Sequence, residues 1–153
     1  MNILRKIIMF LVGFCTYVTI EVIYKGGYSH WIMGLCGGLA LIFLDELNNR
    51  ISWNMDLLLQ GIFGSIFITF LEFVIGSLSL KGILPVMWNY SSVPLNYHGI
   101  ICLPFSLIWI GLSIIGIFVA DAINYYVFEE SPIPYYKIFG HIVLRFPTKK
   151  CSK

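Results

Sequence analysis

The chain has 153 residues, of which 58% are hydrophobic and only 12% are charged. A soluble domain carries about 25% charged residues, so this composition excludes an ordinary soluble domain and makes the lipid bilayer the expected solvent. The net charge of +2 is too small, and the basic residues are too scattered, to predict nucleic-acid binding. The four cysteines form no CxxC pair and have no histidine at metal-ligand spacing. We therefore expect neither a metal site nor a cofactor.

Four apolar runs in chain order predict the fold class, an all-α integral membrane protein with four transmembrane helices. The approximate spans are residues 7–24, 31–47, 57–80 and 99–120, and a spanning helix needs about 20 residues. The first run is similar to a secretory signal, but it is long for one and no small-residue cleavage site follows it, so we expect a retained helix. The second run is short and glycine-rich, and a re-entrant hairpin is the alternative there.

The basic residues predict the orientation of these helices, because cytoplasmic loops of membrane proteins are rich in lysine and arginine. With four spans and both termini in the cytoplasm, the outside receives only Lys25 and Lys81. The predicted cytoplasmic side then holds the other basic residues, which are Arg5, Lys6, Arg50, Lys137, Arg145, Lys149, Lys150 and Lys153. Residues 1–126 form the predicted transmembrane domain.

Residues 127–153 form a predicted basic cytoplasmic tail. The tail mixes apolar and basic residues after the helix-breaking segment SPIPYY. It is predicted to lie on the anionic inner leaflet or to dock on a cytoplasmic partner, and a frayed terminus is the alternative.

Three features describe the expected interior of the helical bundle. Small residues recur at four-residue spacing, which favours close helix packing in a bundle or at a dimer face. These pairs are Gly34 with Gly38, Gly61 with Ser65, and Gly116 with Ala120. Trp109 is expected to pack inside the bundle rather than at a membrane interface. Asp45, Glu46 and Asp121 are expected to end their helices in water.

Glu72 lies within the third apolar run, where a carboxylate costs about 2.5 kcal/mol or more. The apolar runs contain no basic residue to pair with it. We therefore expect Glu72 to be protonated, or to accept hydrogen bonds from a hydroxyl or amide of the segment WNYSSVPLN at residues 88–96. That segment is the predicted polar-aromatic outer loop between helices 3 and 4.

The predicted topology brings a second carboxylate, Glu21, and a histidine, His30, to the same outer half of the bundle. Simpler interpretations apply to each of them, since Glu21 can extend to water at the interface and His30 can be solvated. Trp88 and Tyr90 can belong to an interfacial aromatic belt. Glu72 has no such simple explanation, and an ionisable residue within a membrane span indicates function.

Three segments resemble a known family of bacterial membrane proteins, the CmpB-like ABC-transporter type IV family. They are EVIYKGGYSHW at residues 21–31, LEFVIG at 71–76 and WNYSSVPLNYHGIICLPFSLIW at 88–109. The resemblance covers about four-fifths of the chain, from Glu21 onward. Asn89 stands where the family pattern has aspartate, and Leu95 stands where it has phenylalanine.

The resemblance implies a role in transport, in a bacterial inner or plasma membrane that the chain crosses several times. It also implies a set of substrate- or ion-binding residues, which are Glu21, His30, Glu72, Trp88, Asn89, Tyr90, Ser91 and Asn96. The family's members carry no ATPase domain, and this sequence has no nucleotide-binding P-loop. The implied partners are therefore a second copy of the chain, other membrane subunits or an ATPase subunit.

Three functions follow as hypotheses. The first is a transport-associated membrane subunit with an outward-facing polar site around Glu72. The second is a structural or assembly subunit of a larger membrane complex, in which the WNYSS segment is a plug hydrogen-bonded to Glu72. The third is an intramembrane enzyme acting on a lipid, with Glu72 as acid or base and His30 assisting. No recognisable catalytic motif supports the third hypothesis, so we expect no catalytic residues.

Overall fold

A computed structural model describes residues 3–130 and 132–148 of the chain. Within these residues the protein is mostly helical, with four helices and two short β-hairpins. The helices are α1 (Ile3–Lys25), α2 (Trp31–Arg50), α3 (Leu57–Leu80) and α4 (Leu103–Tyr126); strands β1 (Asn96–Tyr97) and β2 (Ile101–Cys102) precede α4, and β3 (Tyr135–Ile138) and β4 (His141–Arg145) follow it. Six residues of the predicted tail, 131 and 149–153, lie outside the described residues.

Three of the helices in the described part of the chain, α1, α3 and α4, are long and apolar enough to cross a membrane. This result supports a membrane protein. The fourth helix, α2, carries Asp45, Glu46 and Arg50 in its last turns. Its complete passage through the bilayer stays a prediction, as do the four-span topology, the side of the termini and the division at residue 126.

The helix boundaries agree with the sequence prediction at α3 and differ elsewhere. α3 covers the predicted residues 57–80, whereas α1 already begins at Ile3 and α2 continues to Arg50. The fourth span was predicted at 99–120, but α4 begins at Leu103, where Pro104 occupies the first turn. Residues 96–102 instead form the hairpin β1–β2. Its strands have two residues each, which is too short for a hydrophobicity pattern to predict them.

Small residues allow the helices to pack as two antiparallel pairs, α1 with α2 and α3 with α4. In the first pair the backbones meet at Gly13 and Gly37, and the Phe14 ring occupies the space beside Gly34. In the second pair Gly64 lies directly against Ser113. α2 also contacts α3 and α4 and joins the two pairs. The small-residue steps noted in the sequence are therefore used within one bundle.

The prediction that Asp45 and Asp121 end their helices in water is wrong. Asp45 is 1% exposed and Asp121 is 3% exposed. Two Asp45 oxygens accept from Arg5 Nη2 at 2.7 and 2.8 Å, and Asn124 Nδ2 donates to Asp45 Oδ1 at 2.6 Å. α4 continues to Tyr126, beyond the predicted end at 120, because these polar groups find partners inside the protein rather than in water.

Arg5 links three parts of the chain at this end of the bundle. Its Nη1 atom donates to both carboxylate oxygens of Glu130, at 2.7 and 2.9 Å, while Nη2 binds Asp45. Arg5 itself is only 5% exposed. We call this region, formed by Arg5, Asp45, Asn124 and Glu130 together with the hairpin β3–β4, the tail end of the bundle.

The described part of the tail folds back onto the helices instead of fraying or lying apart from them. Tyr136 is 1% exposed and packs among Leu44, Leu57 and Ile117. Its hydroxyl donates to Asp121 Oδ2 at 2.8 Å. Burial raises the pKa of the Tyr136 hydroxyl far above its usual range, and the charge of Asp121 raises it further. The hydroxyl therefore stays protonated and ties the hairpin to α4.

A second contact fixes the hairpin tip on α3. The Asp56 side chain caps α3 by accepting from Leu58 N at 2.9 Å, and its other oxygen accepts from Phe139 N at 2.6 Å. One carboxylate thus satisfies an unpaired amide at the start of a helix and an amide of the hairpin turn. The outer strand β4 is exposed along its whole length.

Candidate functional site

The loop between α3 and α4 is a folded cap over the opposite end of the bundle. Asn96 organises it, because its Nδ2 atom donates to Val93 O at 2.7 Å and its Oδ1 atom accepts from Gly99 N at 3.0 Å. Gly99 has a φ of 68°, which glycine adopts without strain, and it has Asn89 and Ser91 beside it. These contacts give the loop a defined shape without any charged residue.

Asn89 and Ser91 form a turn within this cap rather than contacts with Glu72. Asn89 Oδ1 accepts from Ser91 N at 2.8 Å, which is the short-range bond that asparagine and aspartate both make in turns. An aspartate at this position would accept the same bond. Asn89 therefore makes the same turn-forming hydrogen bond that the family aspartate would make.

Two aromatic residues of the loop point into the bundle. Trp88 Nε1 donates to Ile100 O at 2.8 Å. The Tyr90 backbone amide donates to Gly99 O at 2.8 Å, and the Tyr90 ring stacks on Phe105 of α4 with 4.7 Å between centroids. The loop backbone and the first turn of α4 thus hold the Tyr90 hydroxyl in one position.

That position is next to the Glu72 carboxylate, which is 6% exposed. The Tyr90 hydroxyl donates to Oε1 at 2.8 Å, and Trp109 Nε1 donates to Oε2 at 3.0 Å. Burial raises the pKa of the Tyr90 hydroxyl far above its usual range, and the Glu72 charge raises it further, so the hydroxyl remains a donor. Of the two arrangements expected for Glu72, the structure contains a hydrogen bond from the WNYSS segment.

Both donors to Glu72 are neutral, and none of the described basic side chains forms an ion pair with it. Glu72 lies eight residues before the end of α3. It is therefore about 12 Å from that end along the helix axis, at 1.5 Å per residue. The carboxylate is therefore buried with hydrogen bonds but without a compensating charge. We call the region of Glu72, Trp109 and the loop cap the loop end of the bundle.

An apolar groove begins at this carboxylate and runs toward the tail end. Its cavity volume is about 130 Å³, and it opens to the outside of the bundle. Residues of all four helices form its walls, including Ile68 and Leu71 of α3, and Trp88 and Tyr17 lie at the Glu72 end. Glu72 carries the one formal charge among the described residues that line it.

Two further predicted site residues, Glu21 and His30, have hydrogen-bond partners other than Glu72. Glu21 is 7% exposed and pairs with Lys25 at 2.6 Å, and it also accepts from the Ser29 hydroxyl. Lys25 Nζ donates in addition to Met87 O at 2.9 Å, which ties α1 to the segment before the loop cap. Glu21 is therefore a buried, compensated carboxylate and does not extend to water.

His30 acts as the N-terminal cap of α2, where its Nδ1 atom accepts from Ile32 N at 3.3 Å. In the described residues its contacts are with α2 itself, including the neighbouring Trp31 ring at 5.8 Å. Of the eight predicted residues, the structure thus brings Glu72, Trp88 and Tyr90 to one place. Asn89, Ser91 and Asn96 shape the loop that positions Tyr90.

Sequence reasoning missed two residues at Glu72. Trp109 was expected inside the bundle, which its 6% exposure confirms, but its role as a donor to Glu72 was not predicted. Tyr17 of α1 lines the groove, and its ring lies 6.0 Å from the Trp109 ring. A tryptophan in an apolar run needs an acceptor for its N–H when buried, and that requirement could have connected it with Glu72.

Comparison with known proteins assigns the chain to a family. The family model described as "Putative ABC-transporter type IV" matches residues 7–148, which is nearly the whole chain and confirms the resemblance noted in the sequence. No curated protein and no solved structure gave a significant match. The family description indicates an ABC-transporter-related membrane protein, and the three long apolar helices are consistent with it. The chain therefore belongs to this CmpB-like ABC-transporter type IV family.

Proposed function

We propose that the protein is a transport-associated membrane subunit with an outward-facing polar site around Glu72. In this proposal four helices cross the plasma membrane of a bacterium, both termini are cytoplasmic, and the loop cap faces outward. The tail end, with Arg5 and the hairpin β3–β4, then faces the cytoplasm.

The observation that carries the proposal is the pairing of the buried Glu72 carboxylate with two neutral donors at the end of a groove. Tyr90 and Trp109 orient the carboxylate at 2.8 and 3.0 Å but do not neutralise it. An uncompensated charge in hydrocarbon costs about 2.5 kcal/mol or more. Binding of a proton, a cation or a substrate by Glu72 would offset this cost, and we therefore propose that Glu72 has such a role.

The size of the bundle supports a further part of the proposal, which is assembly with other chains. Four helices leave little room for a transport path through a single bundle. We therefore propose a homo-oligomer or a complex with membrane or ATPase subunits. Crosslinking in native membranes, followed by identification of the captured proteins, tests this directly.

Capture of an ATPase subunit or a second copy is the expected result.

A second experiment tests the site itself with two matched variants. Glu72→Gln removes the uncompensated carboxylate, and Glu21→Gln removes one that is paired with Lys25. A lone monomer in native membranes, together with a Glu72→Gln strain that grows and transports as the wild type does, would contradict the proposal.

A second candidate is a structural subunit that stabilises a larger membrane complex. It is favoured by the way Trp88, Tyr90 and Asn96 lock the loop to itself and to α3. The Glu72→Gln variant separates the two candidates. A folded variant without activity indicates transport, whereas a variant that no longer folds indicates a structural role for the Tyr90–Glu72 bond.

A further inference from the structure

The groove that starts at Glu72 has a length that suits a single alkyl chain. Its α4 wall runs from Trp109 to Val119, a distance of about 15 Å at 1.5 Å per residue. Several wall residues are also exposed at the surface of the bundle, namely Thr16, Ile20, Ile115 and Val119. The groove is therefore open sideways between α1 and α4, on a face that the proposed topology places in the bilayer.

The chemistry of the groove is apolar along its length and anionic at one end. Each Glu72 oxygen accepts one hydrogen bond, and a carboxylate oxygen has lone pairs for another. The aromatic residues Tyr17, Trp88 and Trp109 line the same end. Aromatic faces attract cations, more strongly where water is excluded. A carboxylate among aromatic rings is complementary to a positively charged group.

We propose that this groove binds a cationic amphiphile, with an ammonium head group on Glu72 and a single alkyl chain along α1, α2 and α4. The inference rests on the proposed function, because it names the substrate class of the same site. The ammonium supplies the charge that Glu72 lacks within the described protein, and it donates hydrogen bonds to the free lone pairs. The chain replaces lipid or empty space along the apolar wall.

The test uses the full-length protein in phosphatidylcholine nanodiscs and two probes, dodecylammonium and dodecanol. Both have the same chain, and they differ in charge. Binding is followed by tryptophan fluorescence, because Trp88 and Trp109 line the site, and it is compared at equal mole fractions in the bilayer after subtraction of empty nanodiscs. We expect dodecylammonium to bind more tightly by on the order of tenfold, the factor that corresponds to about 1.4 kcal/mol.

Three variants assign the preference to the groove. Glu72→Gln is expected to reduce the preference for the cation to about one, the ratio at which charge contributes nothing. Glu21→Gln, which changes a carboxylate already paired with Lys25, is expected to keep it. Thr16→Trp, at an exposed position of the groove wall, is expected to fill the groove and abolish saturable binding of both probes. This last variant retains Glu72 and keeps the proposal testable if Glu72→Gln does not fold.

Equal binding of the two probes by the wild type would overturn the inference, as would a cation preference that survives Glu72→Gln or Thr16→Trp. Absence of saturable binding, combined with crosslinking between copies through Thr16→Cys, would also overturn it by placing a second copy in the groove. These outcomes leave the proposed function standing. That function fails separately if the loop cap is labelled only from the cytoplasmic side.

Discussion

The buried carboxylates at the two ends of the bundle differ in the charge of their hydrogen-bond donors. At the tail end, Asp45 is 1% exposed and receives both a guanidinium from Arg5 and an amide from Asn124. At the loop end, Glu72 is 6% exposed and receives the hydroxyl of Tyr90 and the indole N–H of Trp109. Both carboxylates are well hydrogen-bonded, but only Asp45 has a positive charge beside it within the described chain.

This difference separates a structural polar cluster from a candidate site. A buried ion pair holds its elements in one arrangement, and removing one member is costly because the other charge stays buried. A buried carboxylate with neutral donors is oriented yet remains able to accept a cation or a proton. The comparison predicts that substitutions at the tail end reduce stability, whereas substitutions at Glu72 reduce function.

The largest expected effect is that of Arg5→Met at the tail end. The substitution leaves the Asp45 and Glu130 carboxylates without their arginine, and we expect a loss of about 3–5 kcal/mol in the free energy of unfolding. Unfolding in mixed micelles of dodecyl maltoside and SDS measures it. The matched control is Arg50→Met, because Arg50 is exposed and, among the described residues, its ion pair is with its helix neighbour Glu46. Equal, small effects of the two substitutions would contradict a structural role for the cluster.

A smaller loss of stability is expected from Tyr136→Phe. The substitution removes the hydroxyl that donates to the buried Asp121, at a cost of about 1–3 kcal/mol. Tyr135→Phe is the control, since the Tyr135 hydroxyl bonds to Asn54 at an exposed position. Limited proteolysis after residue 131 reports release of the hairpin, and unchanged protection in Tyr136→Phe would argue against docking through this bond.

At the loop end, Tyr90→Phe is expected to cost about 0.5–1.5 kcal/mol, the usual net contribution of one hydrogen bond. Trp109 still donates to Glu72 in this variant, so the carboxylate keeps one partner. The variant is also expected to loosen the loop cap, which hydrogen exchange of the Ser91 and Gly99 amides measures. Tyr97→Phe, at an exposed position of the same loop, is the control and should leave that exchange unchanged.

The smallest effect on stability is expected from Glu72→Gln. The amide oxygen still accepts one of the two hydrogen bonds, and loss of the buried charge offsets loss of the other, so we expect a change within about 1 kcal/mol. The same variant is expected to lose the binding preference for dodecylammonium. If it unfolds as readily as Arg5→Met, the contrast between the two ends disappears and Glu72 is a structural residue.

The sequence predicts the Glu72 end better than the Asp45 end for a physical reason. A carboxylate in the middle of an apolar run is visible without any knowledge of packing, because hydrocarbon penalises its charge. Tyr90 was within the predicted partner segment, so its hydrogen bond was among the expected outcomes. Trp109 was not expected as a donor, because its contact with Glu72 depends on how α3 and α4 are rotated against each other.

Asp45 illustrates the opposite case. An acidic residue at the end of an apolar run is explained equally well by water and by a buried partner, and the sequence does not distinguish them. Its partner Arg5 lies 40 residues away and was assigned to a cytoplasmic flank. The hairpin β3–β4 escaped prediction similarly, because strands of four and five residues after SPIPYY have too short a pattern to be separated from a loop.

The central claim is that the loop holding Glu72 reaches it from outside the cell, while the tail end faces the cytoplasm. Single cysteines at two exposed positions, Ser92→Cys and Thr148→Cys, test it in a background in which Cys15, Cys36, Cys102 and Cys151 are replaced by alanine. The account predicts that a membrane-impermeant maleimide labels Ser92→Cys in intact cells and labels Thr148→Cys only after permeabilisation. Labelling of Thr148→Cys in intact cells, with Ser92→Cys protected until permeabilisation, would contradict it.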